Sequence, residues 1–456
     1  MNSSGLIESF NPANGELVGT VPAASHDDVR DAVKVARSAF RGDATLAFDR
    51  HRILMRATQL LEARAEEFAR LVCRETAKPI RDCRVEVARA GSTLRFSAEE
   101  SLRIDGILQP CDVTSQRLER WAHVRRVPVG IVVAITPFNF PLNIPAHKVA
   151  PALAAGNAVI IKPSPKSPVA TARFIELLHE AGVPRPMLQI LHGGADVVES
   201  LARSNVDAVS FTGSSFVGPQ VASWSAGKKT VMELGGNGAV VVMDDANVEA
   251  AASTIVSHAF GSAGQRCTAC KRAVIHRSVY DEAKKLILEK TSRLVLGDPI
   301  DERTDVGPLI DEEATERVMK KIDFARDQGV RVLCGGALSG KIVQPTIFEG
   351  VAREDRLWLE ETFGPVLPMV AFDRFEEAIE LVNSTPFGLQ TGLFTNRMDV
   401  IRRAAKELEV GTVIVNDGCG LRVEPIPFNG VKASGTGQEG IRWAIGEFTH
   451  LKTLVM

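Results

Sequence analysis

The feature that most restricts the fold is an alternation of short apolar runs with helical stretches along most of the 456 residues. Runs at 189–191, 208–211 and 239–243 have strand length, and segments such as 170–181 and 196–204 separate them. That rhythm predicts βαβ units and a mostly parallel, doubly wound sheet. A second series starts near residue 273, with strands predicted over 273–276, 331–334 and 412–415 and helices over 281–294, 312–328 and 375–383. The fold class is therefore α/β, with two doubly wound lobes. Ahead of them, apolar positions recur at helical spacing (Val29, Ala32, Val33, Ala36, Phe40; then Ile53, Leu54, Ala57, Leu60, Leu61), which predicts two or more amphipathic helices over 26–71.

Composition narrows the function classes. The 54 basic and 56 acidic residues give a formal charge of -2, so no basic excess exists to hold nucleic acid or an anionic membrane. The longest apolar run, 127–135, contains Pro128 and Gly130 and is far shorter than the roughly 20 residues a membrane span needs. It reads as one buried strand. Residues 1–10 lack the basic start and apolar stretch of a secretory signal. Seven scattered cysteines fit reduced thiols in a cytoplasm better than a disulfide framework.

Several segments could carry chemistry. In Gly264-Gln265-Arg266-Cys267-Thr268-Ala269-Cys270 a thiol follows a glycine-containing turn. A thiolate there needs a nearby cation, and Arg266 is one source. Read alone, Cys267 could equally be a small buried residue. Cys267 and Cys270 also have the spacing of a redox dithiol or half a zinc site, but His258 and His276 lack the spacing to complete one, so no metal is expected. Glu233, ahead of Gly235-Gly236, could lie in a dry cleft that raises its pKa toward that of a general base, or be a solvated strand-end charge. Asn139, between Pro137 and Pro141, offers an immobilised amide to a developing oxyanion. Phe211-Thr212-Gly213-Ser214-Ser215-Phe216-Val217-Gly218 runs from a strand into a helix, where backbone N–H groups suit phosphate, although it is neither G-x-G-x-x-G nor a Walker loop. Lys162 ends another strand, where ligands bind in open parallel sheets.

Taken together these segments resemble the aldehyde dehydrogenase superfamily over nearly the whole chain. Phe10-Asn11-Pro12-Ala13-Asn14-Gly15-Glu16 is similar to the family's start, and Glu361-Thr362-Phe363-Gly364-Pro365-Val366 to another of its signatures. The resemblance implies a Rossmann-like dinucleotide-binding domain over 1–112 and 131–232, a catalytic domain over 233–432, and a small β oligomerisation element from 113–130 and 433–456. It implies Cys267 as nucleophile, Glu233 as the base for thioester hydrolysis, and Asn139 with the Cys267 backbone N–H as the oxyanion site. Lys162 would bind the adenosine ribose and complete the catalytic set. Thr136, Pro137, Ser164, Pro165, Gly213, Ser214, Gly218 and Leu234 would line the dinucleotide, with Glu361 and Phe363 at the nicotinamide end. Many NAD-preferring relatives carry an acid soon after that lysine, whereas Pro163, Ser164, Pro165 and Lys166 follow it here. No carboxylate at that place repels a 2′-phosphate and Lys166 could attract one, so NAD or NADP is expected.

The stretch 141–151 and the Cys267 context look most like the lactaldehyde, sulfolactaldehyde and phosphonoacetaldehyde branch. Arg89, His147, Arg266, Arg422 and Phe428 fall at substrate-wall positions. Their basic side chains would favour a short anionic or hydroxylated aldehyde; the alternative is that Arg89 and Arg422 are surface or inter-subunit arginines. A coenzyme A-acylating relative and a catalytically silent scaffold are the competing functions. Exposed strands expected over 116–127 and 447–456 point to a homodimer or homotetramer.

Overall fold

Strands Ile131–Ile135 and Ala158–Lys162 are buried along their whole length, because helices cover both faces of a parallel sheet. Val132, Ala134, Val159 and Ile161 enter one core with helices Ala47–Ala63, Ile80–Ser101, Asn143–Ala154 and Pro168–Ala181. Ile131, Val133, Ala158 and Ile160 enter another with His26–Gly42 and Ala195–Arg203. The computed structural model describes residues 5–43, 45–116 and 118–456. Residues 1–4, 44 and 117, which fall within the opening segment, the first-lobe range and the 113–130 segment, lie outside the described residues.

The first sheet runs Gly435–Thr436, Lys229–Glu233, Ala208–Thr212, Ile131–Ile135, Ala158–Lys162, Leu188–Ile190. All neighbours are parallel except Gly435–Thr436, which pairs antiparallel with Lys229–Glu233. Chain order reverses between Ile131–Ile135 and Ala208–Thr212, so a crevice opens at their carboxyl ends. The second sheet has seven strands, with Gly238–Val242 between Cys270–His276 and Gln390–Phe394. Both doubly wound α/β lobes expected from the alternation are present. Three helices, His26–Gly42, Ala47–Ala63 and Ala65–Thr76, occupy the amphipathic stretch.

Two expectations need correction. The apolar run 127–135 is two strands: Trp121–Pro128 belongs to a three-stranded antiparallel sheet and Ile131–Ile135 to the first lobe. The break is Gly130, at φ 133°, where a Cβ would stand 2.2 Å from an Asp207 carboxylate oxygen. An apolar count does not register that turn. The second concerns the bounds 113–130 and 433–456 expected for the small β oligomerisation element. Its third strand, Gly106–Pro110, lies before that boundary. Gly435–Thr436 and helix Ile441–Glu447 join the first lobe, the helix burying Ile441, Ala444 and Ile445 in its core. Among the described residues no helix is long and apolar enough to cross a membrane.

Candidate active site

Strand ends of the first sheet build one side of the site. Lys162 and Glu233 are the last residues of their strands, Thr136 follows Ile131–Ile135, and Thr212 closes Ala208–Thr212. The hydroxyls of Thr136 and Thr212 and Nδ1 of His192 are buried without a hydrogen-bond partner. Burial pulls the Lys162 ammonium down to about 8, against an opposing pull from Asp196. His192 is lowered to about 4 by burial and by Lys162.

The remaining strand-end residues are placed by backbone contacts. Thr136 donates its N–H to the Lys162 carbonyl at 3.1 Å, which brings the Pro137 turn beside that strand. Ser164 Oγ accepts from the Lys166 N–H at 3.2 Å, ahead of Pro165. Gly213 donates to the Glu233 carbonyl at 3.0 Å, and the Ser214 carbonyl accepts from Gly218 at 3.0 Å where helix Gly218–Trp224 begins. A Cβ on Gly218 would stand 2.4 Å from a Leu234 methyl, so glycine lets that helix approach. Lys166, expected to be free for a phosphate, is ion-paired with Asp311 of the second lobe at 2.5 Å.

Cys267 is half-buried beyond a turn in which Ser262, Ala263 and Gly264 all have positive φ. Such left-handed runs persist only where the surroundings hold them. Asn139 helps to do so, its side-chain amide donating to the Gln265 carbonyl at 2.9 Å while its own buried Oδ1 has no partner. Burial pushes the Cys267 thiol up to about 11; Lys271 and Arg422 oppose the shift, and Glu361 and Glu233 reinforce it. Arg266, expected to activate the thiol, turns its guanidinium to the His258 carbonyl at 3.0 Å, so Lys271 is the cation that most favours the thiolate.

Glu233 is 3% exposed and neither carboxylate oxygen has a hydrogen-bond partner. Burial raises its pKa well above the carboxylate range, Glu439 adds to the rise, and Arg422 and Lys148 oppose it. Glu361 accepts from the Gly236 N–H at 3.2 Å and pairs with Lys271 at 2.5 Å. Phe363, at φ 50°, meets Phe138 edge-on at 6.0 Å between centroids.

Of the residues expected at the substrate wall, Arg89, His147, Arg422 and Phe428 lie near one another. Arg422 lies over the Phe428 ring at 3.8 Å, its Nη2 3.4 Å from His147 Nδ1 and 3.2 Å from Glu439. Arg89 pairs with Glu424 at 2.7 Å. Burial lowers the His147 pKa well below the usual imidazole value, and Arg422, Arg89 and Lys148 add to the fall. Neither arginine is a surface side chain, with 25% of Arg89 and 11% of Arg422 exposed.

Four participants were absent from the sequence expectation: Lys148, Lys271, Glu424 and Glu439. Lys148 is fully buried and donates to Glu439 at 3.0 Å and Ser210 at 2.8 Å. A lysine inside the largely apolar helix Asn143–Ala154 was the available signal, since buried lysines are paired. Among the described residues no cluster of three or more His, Cys, Asp or Glu could hold a metal. Cys270 is buried, its thiol donating to the Arg272 carbonyl at 3.6 Å.

Two α/β lobes facing each other across a buried carboxylate, a thiol and a strand-end crevice define an oxidoreductase class already suggested by the motifs. The chain belongs to the aldehyde dehydrogenase family, whose profile, described as "Aldehyde dehydrogenase family", matches residues 1–454. It is 41% identical over 457 residues to the sulfoacetaldehyde dehydrogenase of Neptuniibacter caesariensis, covering 100% of both chains. Identity to the 3-sulfolactaldehyde dehydrogenase of Priestia aryabhattai is 40% over 452 residues, covering 99% of this chain and 94% of the relative. Among solved structures, the NADP complex of a glyceraldehyde-3-phosphate dehydrogenase from Methanocaldococcus jannaschii is similar. Its TM-score is 0.94 at 35% identity, covering 99% of this chain and 98% of that one.

Proposed function

We propose that the chain oxidises a short, anionic or hydroxylated aldehyde to its carboxylic acid through a hemithioacetal and a thioester on Cys267, with NAD or NADP as acceptor. The observation that carries this reading is Glu233, a buried carboxyl with both oxygens uncommitted, on the segment that passes against the Cys267 loop.

Dinucleotide binding is supported by the buried, unpartnered polar atoms of Thr136, Thr212 and His192 along the strand ends, where Lys162 also lies. Lys162, Ser164 and the Gly213–Ser214 turn would hold its adenosine half, and Glu361 and Phe363 its nicotinamide half. When bound, the group supplies a two-electron hydride acceptor. Because Lys166 is committed to Asp311, 2′-phosphate recognition has no free cation from that residue.

The protein's own residues divide the work. Cys267 adds to the aldehyde carbonyl, and the second amide N–H of Asn139 with the Cys267 backbone N–H stabilises the oxyanion. After oxidation the acyl group rests on sulfur as a thioester. Glu233, once ionised, takes a proton from water; attack at the acyl carbon releases the acid and returns the thiolate. Glu439, bridged to Lys148 and Arg422, places a negative charge near enough to Glu233 to raise its pKa further.

The sulfonated aldehydes named for two relatives and the convergence of Arg89 and Arg422 support an anionic substrate. A panel of short aldehydes, neutral and anionic, assayed with NAD and NADP tests this. Anionic members are expected to exceed propanal in kcat/KM by about tenfold or more, the scale of one charge-assisted hydrogen bond. Equal values would defeat the substrate reading.

The three-stranded sheet Thr449–Val455, Trp121–Pro128, Gly106–Pro110 leaves an open edge on each side, with Ile107, Leu108, Leu451 and Leu454 exposed. Such edges are normally paired, and the reading is that they join copies into a homodimer or homotetramer.

A further inference from the structure

We infer that the substrate pocket is set for one negative charge rather than two, and that Glu424 is the residue that sets the limit. This rests on the anionic-aldehyde reading above.

Arg89 comes from helix Ile80–Ser101, Lys148 from Asn143–Ala154, and Arg422 and Glu424 from the segment after strand Thr412–Val415. Arg89 and Glu424 cancel each other at 2.7 Å. Glu439 is shared between Lys148 at 3.0 Å and Arg422 at 3.2 Å, one carboxylate between two cations. That leaves a single positive charge in surplus, on the side where Arg422 lies over Phe428 and acts on the Cys267 thiol.

The other titratable groups facing the cluster do not change the balance. Burial and three cationic neighbours disfavour the charged form of His147, and burial disfavours the charged form of Glu233. Arg266 also faces Arg89, but Asp82, which accepts from Ser262 Oγ at 3.1 Å, offsets its charge. Lys271 and Glu361 cancel at 2.5 Å.

A singly charged sulfonate or carboxylate therefore meets one uncompensated cation. A dianion brings one charge too many among side chains that are mostly buried, where an unpaired charge is costly. Glu424, 7% exposed and already on Arg89, is the carboxylate that a second substrate charge would have to face. Removing its charge would release the Arg89 fork for that second charge.

The test compares sulfoacetaldehyde, singly charged throughout, with phosphonoacetaldehyde, whose second proton leaves near neutral pH. Taking the phosphonate-to-sulfonate ratio of kcat/KM at each pH cancels ionisations of the enzyme that both substrates share. In the unaltered enzyme the ratio is expected to fall about tenfold between pH 6 and pH 9, and in Glu424→Gln to rise about tenfold at pH 8.5. A ratio in the unaltered enzyme that does not change with pH overturns the inference without any variant. So does a folded Glu424→Gln enzyme whose ratio stays within about twofold of the parent. Propanal separates the two claims. If neither anion exceeds it, the anionic-aldehyde reading itself fails; if the sulfonate exceeds it and the dianion does equally well, only the charge limit fails.

Discussion

Gly236 packs against Cys267 so closely that a Cβ on the glycine would stand 2.4 Å from the cysteine's carbonyl oxygen. The segment carrying Glu233 and the loop carrying the thiol are thereby fixed against each other. Gly236→Ala must displace one of them, and overpacking of this kind costs about 1–3 kcal/mol of stability. Misplacement near the chemistry costs more in rate, so kcat/KM should fall about 100-fold while the protein remains folded. Parallel denaturation and steady-state measurements separate the two, and unchanged kinetics would show that the contact does not position the thiol.

The Cys267 thiol, raised to about 11, is almost wholly protonated at neutral pH. Only the thiolate alkylates, so inactivation by iodoacetamide in the free enzyme should climb about tenfold per pH unit from pH 7 to pH 10 without a plateau. Lys271 is the leading opponent of the rise; Lys271→Gln should slow alkylation at pH 8 by about tenfold. A plateau near pH 8 would mean that the thiol is activated by something else.

Burial raises the Glu233 pKa well above the carboxylate range, and it becomes a base only as pH rises through that value. Hydrolysis of the thioester should therefore accelerate with pH. Glu233→Gln should form reduced cofactor in a burst close to one equivalent per site, with later turnover about 100-fold slower, the scale of lost general-base catalysis. Steady turnover at the parental rate would remove Glu233 from the deacylation step.

The exposed faces of Gly106–Pro110 and Thr449–Val455 supply a test of assembly. Leu451→Glu with Leu454→Glu replaces two exposed leucines of Thr449–Val455 by charges and should lower the mass seen by light scattering to that of one chain. An unaltered protein that is already monomeric at micromolar concentration would contradict the proposed pairing.

Much of the architecture was legible because strand and helix periods differ and the buried strands are apolar on both faces. Ile131–Ile135 and Ala158–Lys162 are examples. Cys267, Glu233, Asn139 and Lys162 stand out as candidates through the joint order of their motifs, each of which is modest alone. Lys148 and Glu439 were not, since they meet across 291 residues and no local pattern records the encounter. Lys271 was overlooked for the adjacent Arg266, because neighbourhood in sequence does not tell which way a side chain turns. Gly130 breaks the apolar run at a positive φ, a backbone property that the apolar count around it does not register.

The most direct measurement is peptide mass spectrometry on Glu233→Gln quenched during the burst. The account predicts a mass increase equal to the acyl group on the peptide containing Cys267, and no reduced cofactor from Cys267→Ala. Reduced cofactor formed by Cys267→Ala at the parental rate, with that peptide unmodified in the quenched sample, would contradict it.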